Sequence, residues 1–277
     1  MTTVSEPPRT KQPRAAWRAI LRRQFAAFLT AVRFLTRVPV PDRFFPSGEE
    51  PAVLLRASVV YFPLVGSLIG TATALVILGA ERLWAPWLAV VIGLAFEALL
   101  TGAFHEDAVA DFCDAFGGGW SREDVLRILK DSRVGSFGAL GLTLALLLRT
   151  GGLAALEREQ LLAVVVASAA LGRWVILPVM AVLPPVPGRT SLARDVGERL
   201  SVRGVVLGGL LTVPGVAAWA VSQPYRFAAS LLALLVFVGV FVLYLRQRLG
   251  GVTGDCLGCA CYVSQILVLL VAAARLP

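Results

Sequence analysis

Asp107, Asp111 and Asp114 recur at intervals of four and three residues, so on an α-helix they share one face. Three like charges on one face repel, and the arrangement is destabilising without a counter-cation. It reads either as a solvated acidic helix end or as a divalent-cation site at the mouth of a membrane pocket. Asp107 and Asp111 would lie roughly 6 Å apart along a helix axis. That spacing lets two carboxylates reach one hard cation or a close pair of them, with phosphate oxygens completing the shell. The three belong to the stretch His105–Gly138, which holds the only histidine of the chain and seven of its eighteen carboxylates. Lys130 and Arg133 follow within it and offer positive charge for a phosphate, the arginine through a bidentate fork. Carboxylates with Lys and Arg, and no Ser–His nucleophile pairing, point to phosphoryl transfer. His105 reads as a helix-end residue or as a base with a pKa near neutrality.

A second candidate is the flexible turn Gly250-Gly251-Val252-Thr253-Gly254-Asp255, in which Asp255 is placed to join the cation site or the acceptor site. Cys256, Cys259 and Cys261 follow at once. A zinc site needs four suitable ligands, and only Cys113 and His105 remain to supply one, so the cysteines read as small apolar residues at a helix start. Glu97 and Arg173 fall inside apolar segments, where an unpaired charge costs on the order of 2.5–3.5 kcal/mol near the bilayer centre. They are expected to face each other, with Arg173 either purely structural or reaching a substrate phosphate. Arg194, in the polar loop PGRTSLARDVGERLSVRG (187–204), is a further substrate-binding candidate.

These residues need elements to hold them. Of the 277 residues 57% are hydrophobic and only 16% charged, too little charge for the surface of a soluble domain of this size. The expectation is an all-α, polytopic membrane bundle. Seven apolar segments of spanning or near-spanning length run over about 57–80, 84–104, 135–149, 161–183, 204–222, 227–245 and 258–274. The second is expected to continue as helix through Asp114 and stop at Gly117-Gly118-Gly119, with Ser121 and Asp124 capping the next helix. Residues 1–16 read as a disordered basic tail and 17–277 as a single membrane domain, with no cleavable signal visible. From Trp17 to Arg37, Leu21, Phe25, Phe28, Val32 and Leu35 fall opposite Arg18, Arg22, Arg33 and Arg37. That pattern fits an interfacial amphipathic helix or one packed on the body. Placing the N-terminus in the cytoplasm gives 20 of the 26 Lys and Arg to cytoplasmic stretches, with Arg82, Arg149, Arg158, Arg226 and Arg275 at the outer ends. All the polar, motif-like loops then face the cytoplasm. The net charge of +8 is explained by that topology and by anionic lipid rather than by nucleic acid. Oligomeric state is left open.

Taken together the motifs resemble those of the cobalamin synthase family, the adenosylcobinamide-GDP ribazoletransferases. FLTRVPVP (34–41) resembles F-x-T-R-x-P-V-P, and YFPLVGSLIG (61–70) its F-P-L-V-G span. TGAFHEDAVADFCDAFGG (101–118) resembles T-G-x-x-H-x-D-G-x-A-D-x-x-D-G, and KDSRVGSFG (130–138) resembles K-D-S-R-x-G-x-x-G. LGGVTGDCLGCA (249–260) resembles L-G-G-x-T-G-D-x-L-G-A. The resemblance implies a magnesium-dependent enzyme of the bacterial inner membrane that joins α-ribazole, or its phosphate, to adenosylcobinamide-GDP and releases GMP. It places His105, Asp107, Asp111 and Asp114 in the acidic motif, Lys130, Asp131, Ser132 and Arg133 in the second, and Thr253, Gly254 and Asp255 in the third. In the reaction so implied, Asp107 and Asp111, with Asp114 or Asp255, hold Mg²⁺. There are departures. Glu106 and Ala108 replace the usual Leu and Gly of H-L-D-G, Ala115 replaces a Gly, and Phe112 stands where a small residue is common. The alternatives are a membrane transferase of CDP-alcohol or prenyl-diphosphate type, some of which hold a diphosphate through magnesium on a D-x-x-x-D helix, and a corrinoid carrier.

Overall fold

Apolar runs of this length leave backbone N–H and C=O groups no partner but each other in hydrocarbon, and a helix is the structure that satisfies them within one segment. The chain follows that rule in a computed structural model that describes residues 13–46, 48–186 and 199–275. Residues 1–12 of the expected tail and Arg194 lie outside the described residues. The helices are α1 (Pro13–Leu35), α2 (Pro51–Ser58), α3 (Phe62–Ala80), α4 (Pro86–Thr101), α5 (Phe104–Gly118) and α6 (Arg122–Ile128). They continue with α7 (Ser136–Ala154), α8 (Arg158–Val182), α9 (Val202–Ser222), α10 (Pro224–Arg248) and α11 (Gly254–Ala273). Among the described residues there is no β-strand, only one bridge between Pro185 and Val252. That bridge ties the end of α8 to the turn before α11 through Val186 N–H to Val252 O (3.1 Å) and Val252 N–H to Pro184 O (2.9 Å).

Among the described residues six stretches are long and apolar enough to cross a membrane, the first running continuously over Pro51–Ala80, and α4 with α5 make a seventh if the bent pair is one span. The expected seven segments are thus recovered with one correction. The second does not run straight through Asp114: it breaks at Gly102-Ala103 and turns by 91°. The helix does stop at Gly118, as the three glycines predict, and Ser121 with Asp124 forms the expected capping box on α6.

α8 is the centre of the bundle, covered along most of its length, with α3, α9 and α11 packed against it. Small residues allow that approach, the general solution for helices that meet in lipid. A Cβ on Gly66 of α3 would lie 2.5 Å from the Ala169 carbonyl oxygen, and one on Gly70 3.0 Å from that of Val165. α1 begins at Pro13, inside the stretch expected to be disordered, and packs on α2 and α3 through Ala26, Ala27, Ala31 and Leu35. Leu21 and Phe25, on the side opposite the arginines, stay exposed with Trp17 and Ile20. The first half of the helix therefore keeps an apolar surface beside its arginines.

Candidate active site

The corner between α4 and α5 decides where the acidic face points. Gly102 has φ 76° and Ala103 φ 55°, the one non-glycine with positive φ among the described residues. Two successive left-handed residues end α4 in the manner of a glycine C-cap, with Ala103 N–H bonded to Ala98 O at 2.8 Å. Gly102 is required twice over, since its φ favours glycine and a Cβ there would run into the Arg37 guanidinium. Arg37 N–H also bonds Leu100 O at 2.7 Å, so the FLTR motif braces the corner from outside.

Beyond the corner, α5 runs antiparallel to α7 and α11. Glu106 meets Arg149 near one end of α7, while Asp114 meets Gly135 and Gly138 at the other. Ala108 meets Gly258 of α11 so closely that a Cβ on that glycine would lie 2.5 Å from the alanine Cβ. The methyl by which this chain departs from the glycine of the resembled motif is thus accommodated by a glycine opposite. Asp111 follows this crossing on α5 and Asp255 precedes it on α11, so the antiparallel run puts both at the same end of the bundle. Asp107 is exposed, and Asp111 and Asp255 are half-buried.

Asp114 has a different employment from its neighbours. Its Oδ2 accepts the Gly135 N–H at 2.6 Å and its Oδ1 the Gly138 N–H at 2.7 Å. It caps the first turn of α7, where N–H groups lack helical partners, and Gly138 leaves room for it because a Cβ there would overlap the carboxylate. Both oxygens are committed to backbone, which removes Asp114 from the front rank of metal ligands. Among the described residues no three His, Cys, Asp or Glu side chains form a group that could hold a metal ion. The donor set of Asp107 and Asp111 still suits magnesium, which keeps several waters and binds through one or two carboxylates plus substrate phosphates rather than in an all-protein cage.

The second motif forms an exposed loop after α6. Arg133 lies against Asp131 in a fork, Nε to Oδ1 at 3.0 Å and Nη2 to Oδ2 at 2.7 Å. The guanidinium hydrogen bonds hold the Asp131 carboxyl down to about 2 and push the arginine's own pKa up. Two residues expected to bind substrate thus bind each other here. Lys130 and Ser132 are exposed beside them. In the third motif Thr253 is buried and caps α11, accepting the Cys256 N–H at 3.3 Å. Its role is to start the helix that carries Gly254 and Asp255.

Two expectations about interior charges are corrected. Glu97 does not pair with Arg173. Its oxygens accept from Arg149 Nη2, each at 2.8 Å, and Oε2 also accepts from Thr73 at 3.1 Å. Arg149, expected at the outer rim, is 3% exposed and also reaches Gln265 Oε1 at 3.1 Å. The apolar run of α7 continues to Ala154, which carries Arg149 inward from the surface. Extending the third segment by one turn was the signal that would have found it. Arg173 is 0% exposed, and Nη1 donates to Ala169 O at 3.1 Å while Nε and Nη2 have no partner among the described residues. His105 is 3% exposed with Nε2 unpartnered among the described residues. Two residues from Asp107, it sits on nearly the opposite side of α5. A general base must come within hydrogen-bond reach of the proton it removes, and of the two roles open to His105, helix-end residue or base, this burial favours the first.

Sequence reasoning also missed the contacts that dock the turn after α5. Arg248 at the end of α10 donates to Gly119 O at 2.6 Å and Trp120 O at 3.2 Å, and Arg122 Nε to Leu249 O at 2.9 Å.

Comparison with known proteins agrees with the motifs. A family model described as cobalamin-5-phosphate synthase matches residues 27–273. An adenosylcobinamide-GDP ribazoletransferase of Ralstonia nicotianae is 38% identical over 261 residues, covering 91% of this chain and 96% of that protein. One of Leptospira biflexa is 36% identical, covering 83% and 89%, and one of Vibrio cholerae 35%, covering 91% and 95%. No solved structure matches.

Proposed function

This chain belongs to the cobalamin-5-phosphate synthase family, and from that premise we propose that it joins α-ribazole, or α-ribazole phosphate, to adenosylcobinamide-GDP with release of GMP. The observation that carries the reading is the match to ribazoletransferases over about nine-tenths of both chains, with the acidic, K-D-S-R and T-G-D motifs inside the matched region. It is a multi-pass membrane protein, and the distribution of Arg and Lys supports a cytoplasmic N-terminus and a cytoplasmic acidic end. Moving Arg149 into the interior sharpens that asymmetry, because only Arg82, Arg158, Arg226 and Arg275 remain at the outer ends.

The reaction is a displacement at phosphorus. The acceptor hydroxyl attacks the phosphorus on the corrinoid side of the diphosphate. The bond from that phosphorus to the bridging oxygen breaks, and GMP departs with that oxygen. The hydroxyl proton passes to a carboxylate of the acidic end outside the magnesium pair, a role we assign to Asp255. A magnesium ion bound by Asp107 and Asp111 would neutralise charge on the diphosphate oxygens. Asp255 lines the same end and orients the acceptor. Lys130 faces the departing phosphate with Arg133, whose fork must exchange Asp131 for phosphate oxygens, the same bidentate geometry in both partnerships. Arg173 contributes from within the bundle by keeping the interior electropositive beneath the site.

Purified chain supplied with both substrates and magnesium should release GMP stoichiometrically with corrinoid product. Asp107→Asn should abolish release while leaving expression and helix content unchanged, and robust turnover in that variant would defeat the assignment. A carrier of corrinoids would bind substrate and release no GMP.

A further inference from the structure

Arg149 touches both arms of the corner. Through Nη2 it holds both oxygens of Glu97 at 2.8 Å, on α4 one turn before the break. Through Nη1 it lies 3.6 Å from Glu106 Oε1, in the first turn of α5 beyond the break. Gln265 Oε1 at 3.1 Å and the Tyr262 ring at 4.9 Å fix the guanidinium against α11. One planar cation on α7 therefore links three other helices, and two of those links straddle Gly102-Ala103. Only Arg presents enough donors in a rigid fork for this. Arg173, the other buried guanidinium, makes its hydrogen bond within its own helix among the described residues.

We propose that Arg149 is a positioning residue for the transfer reaction. It fixes the angle at which α5 leaves α4, and with it the direction of Asp107, the residue next to Glu106. Glu106 stands where the resembled motif has Leu, so this chain adds a hold on the α5 arm to the one that Glu97 makes on α4. The inference rests on the reading that the acidic face of α5 handles the nucleotide. Misplacing a reacting group by about 1 Å from a distant mutation costs roughly a hundredfold in rate, which is the scale expected here.

The test uses the full chain in lipid nanodiscs. Cys113, the one half-buried cysteine, is replaced by Ser, and nitroxides are attached at Leu99→Cys on α4 and Trp120→Cys beyond α5, both exposed positions. Arg149→Lys should broaden the 99–120 distance distribution and lower kcat per folded molecule about a hundredfold, with KM for both substrates within about twofold. Glu106→Leu should do the same to a lesser degree, lowering kcat about tenfold, and Glu106→Gln should restore most of it. If Arg149→Lys does not fold, the Glu106 pair carries the test. A broadened corner with unchanged kcat, or a lost kcat with an unchanged corner, would overturn the inference. Full turnover in Asp107→Asn would instead sink the acidic-face reading on which it rests.

Discussion

Two arginine–carboxylate contacts of nearly equal length do different work in this molecule. Arg149 and Glu97 meet at 2.8 Å with both side chains 4% exposed. Arg133 and Asp131 meet at 2.7 Å with the side chains 87% and 37% exposed. In the exposed pair water competes for every donor, so the contact adds little to stability and can be exchanged for another anion. In the buried pair no such exchange is open, and removing one partner strands the other in a low-dielectric interior. The interior pair therefore holds shape, and the loop pair is built to be displaced. Distance alone would have ranked them the other way.

The sharpest way to break this contrast is Glu97→Gln, which leaves the Arg149 charge without its main partner. It should cost about 3–5 kcal/mol, read as a lower unfolding midpoint in detergent and a smaller folded yield. Replacing both partners by apolar residues, Glu97→Leu with Arg149→Met, should recover part of that loss, since well-packed apolar pairs rival buried ion pairs. A double change at Glu97 and Arg173 should recover less than that, because the direct ion pair of Glu97 is with Arg149 and not with Arg173. If the Glu97→Gln loss is no larger than that of Arg133→Gln, the distinction between interior and loop collapses.

Next in size is Gly102→Ala. Placing a non-glycine in the left-handed region costs about 1–2 kcal/mol, and the added methyl meets Arg37 as well. A similar loss with activity reduced more than stability would mark the corner as the hinge that aims α5. Asp114→Ala, which uncaps α7, should cost about 1–2 kcal/mol and leave the magnesium concentration for half-maximal activity unchanged. A large shift in that concentration would return Asp114 to the metal.

Much of this was legible in the sequence. The apolar runs gave the helices, the glycines at 117–119 the end of α5, and Ser121 with Asp124 the cap of α6, because each is a local rule with a local cause. The aspartates at 107, 111 and 114 gave one face. What sequence spacing could not show was how that face is used. Asp114 is set apart by meeting the start of α7, a contact between residues more than twenty apart. The corner at Gly102-Ala103 was hidden because Ala103 gives no hint of a left-handed backbone. The partner of Glu97 was misassigned for a related reason. Depth along a helix was inferred from segment ends, and an error of five residues in one end moved Arg149 from the core to the rim.

The smallest effect expected is also the most specific. Arg133 lowers the Asp131 carboxyl to about 2 from an ordinary 3.8, so the pair's contribution is complete above pH 3.8 and fades only as pH falls from there towards 2. Between pH 5 and 9 it should not change at all, and any pH dependence of turnover in that range belongs to other groups. Carbon-detected NMR of Asp131 should place its midpoint near 2, and Arg133→Gln should move it up towards 3.8 without lowering the unfolding midpoint. A diphosphate nucleotide that draws the Arg133 fork away should move that midpoint upward in the same direction as the mutation. If GDP with magnesium leaves the Asp131 titration where it was, the loop pair is not exchanged for substrate, and the contrast with Arg149 loses its functional half.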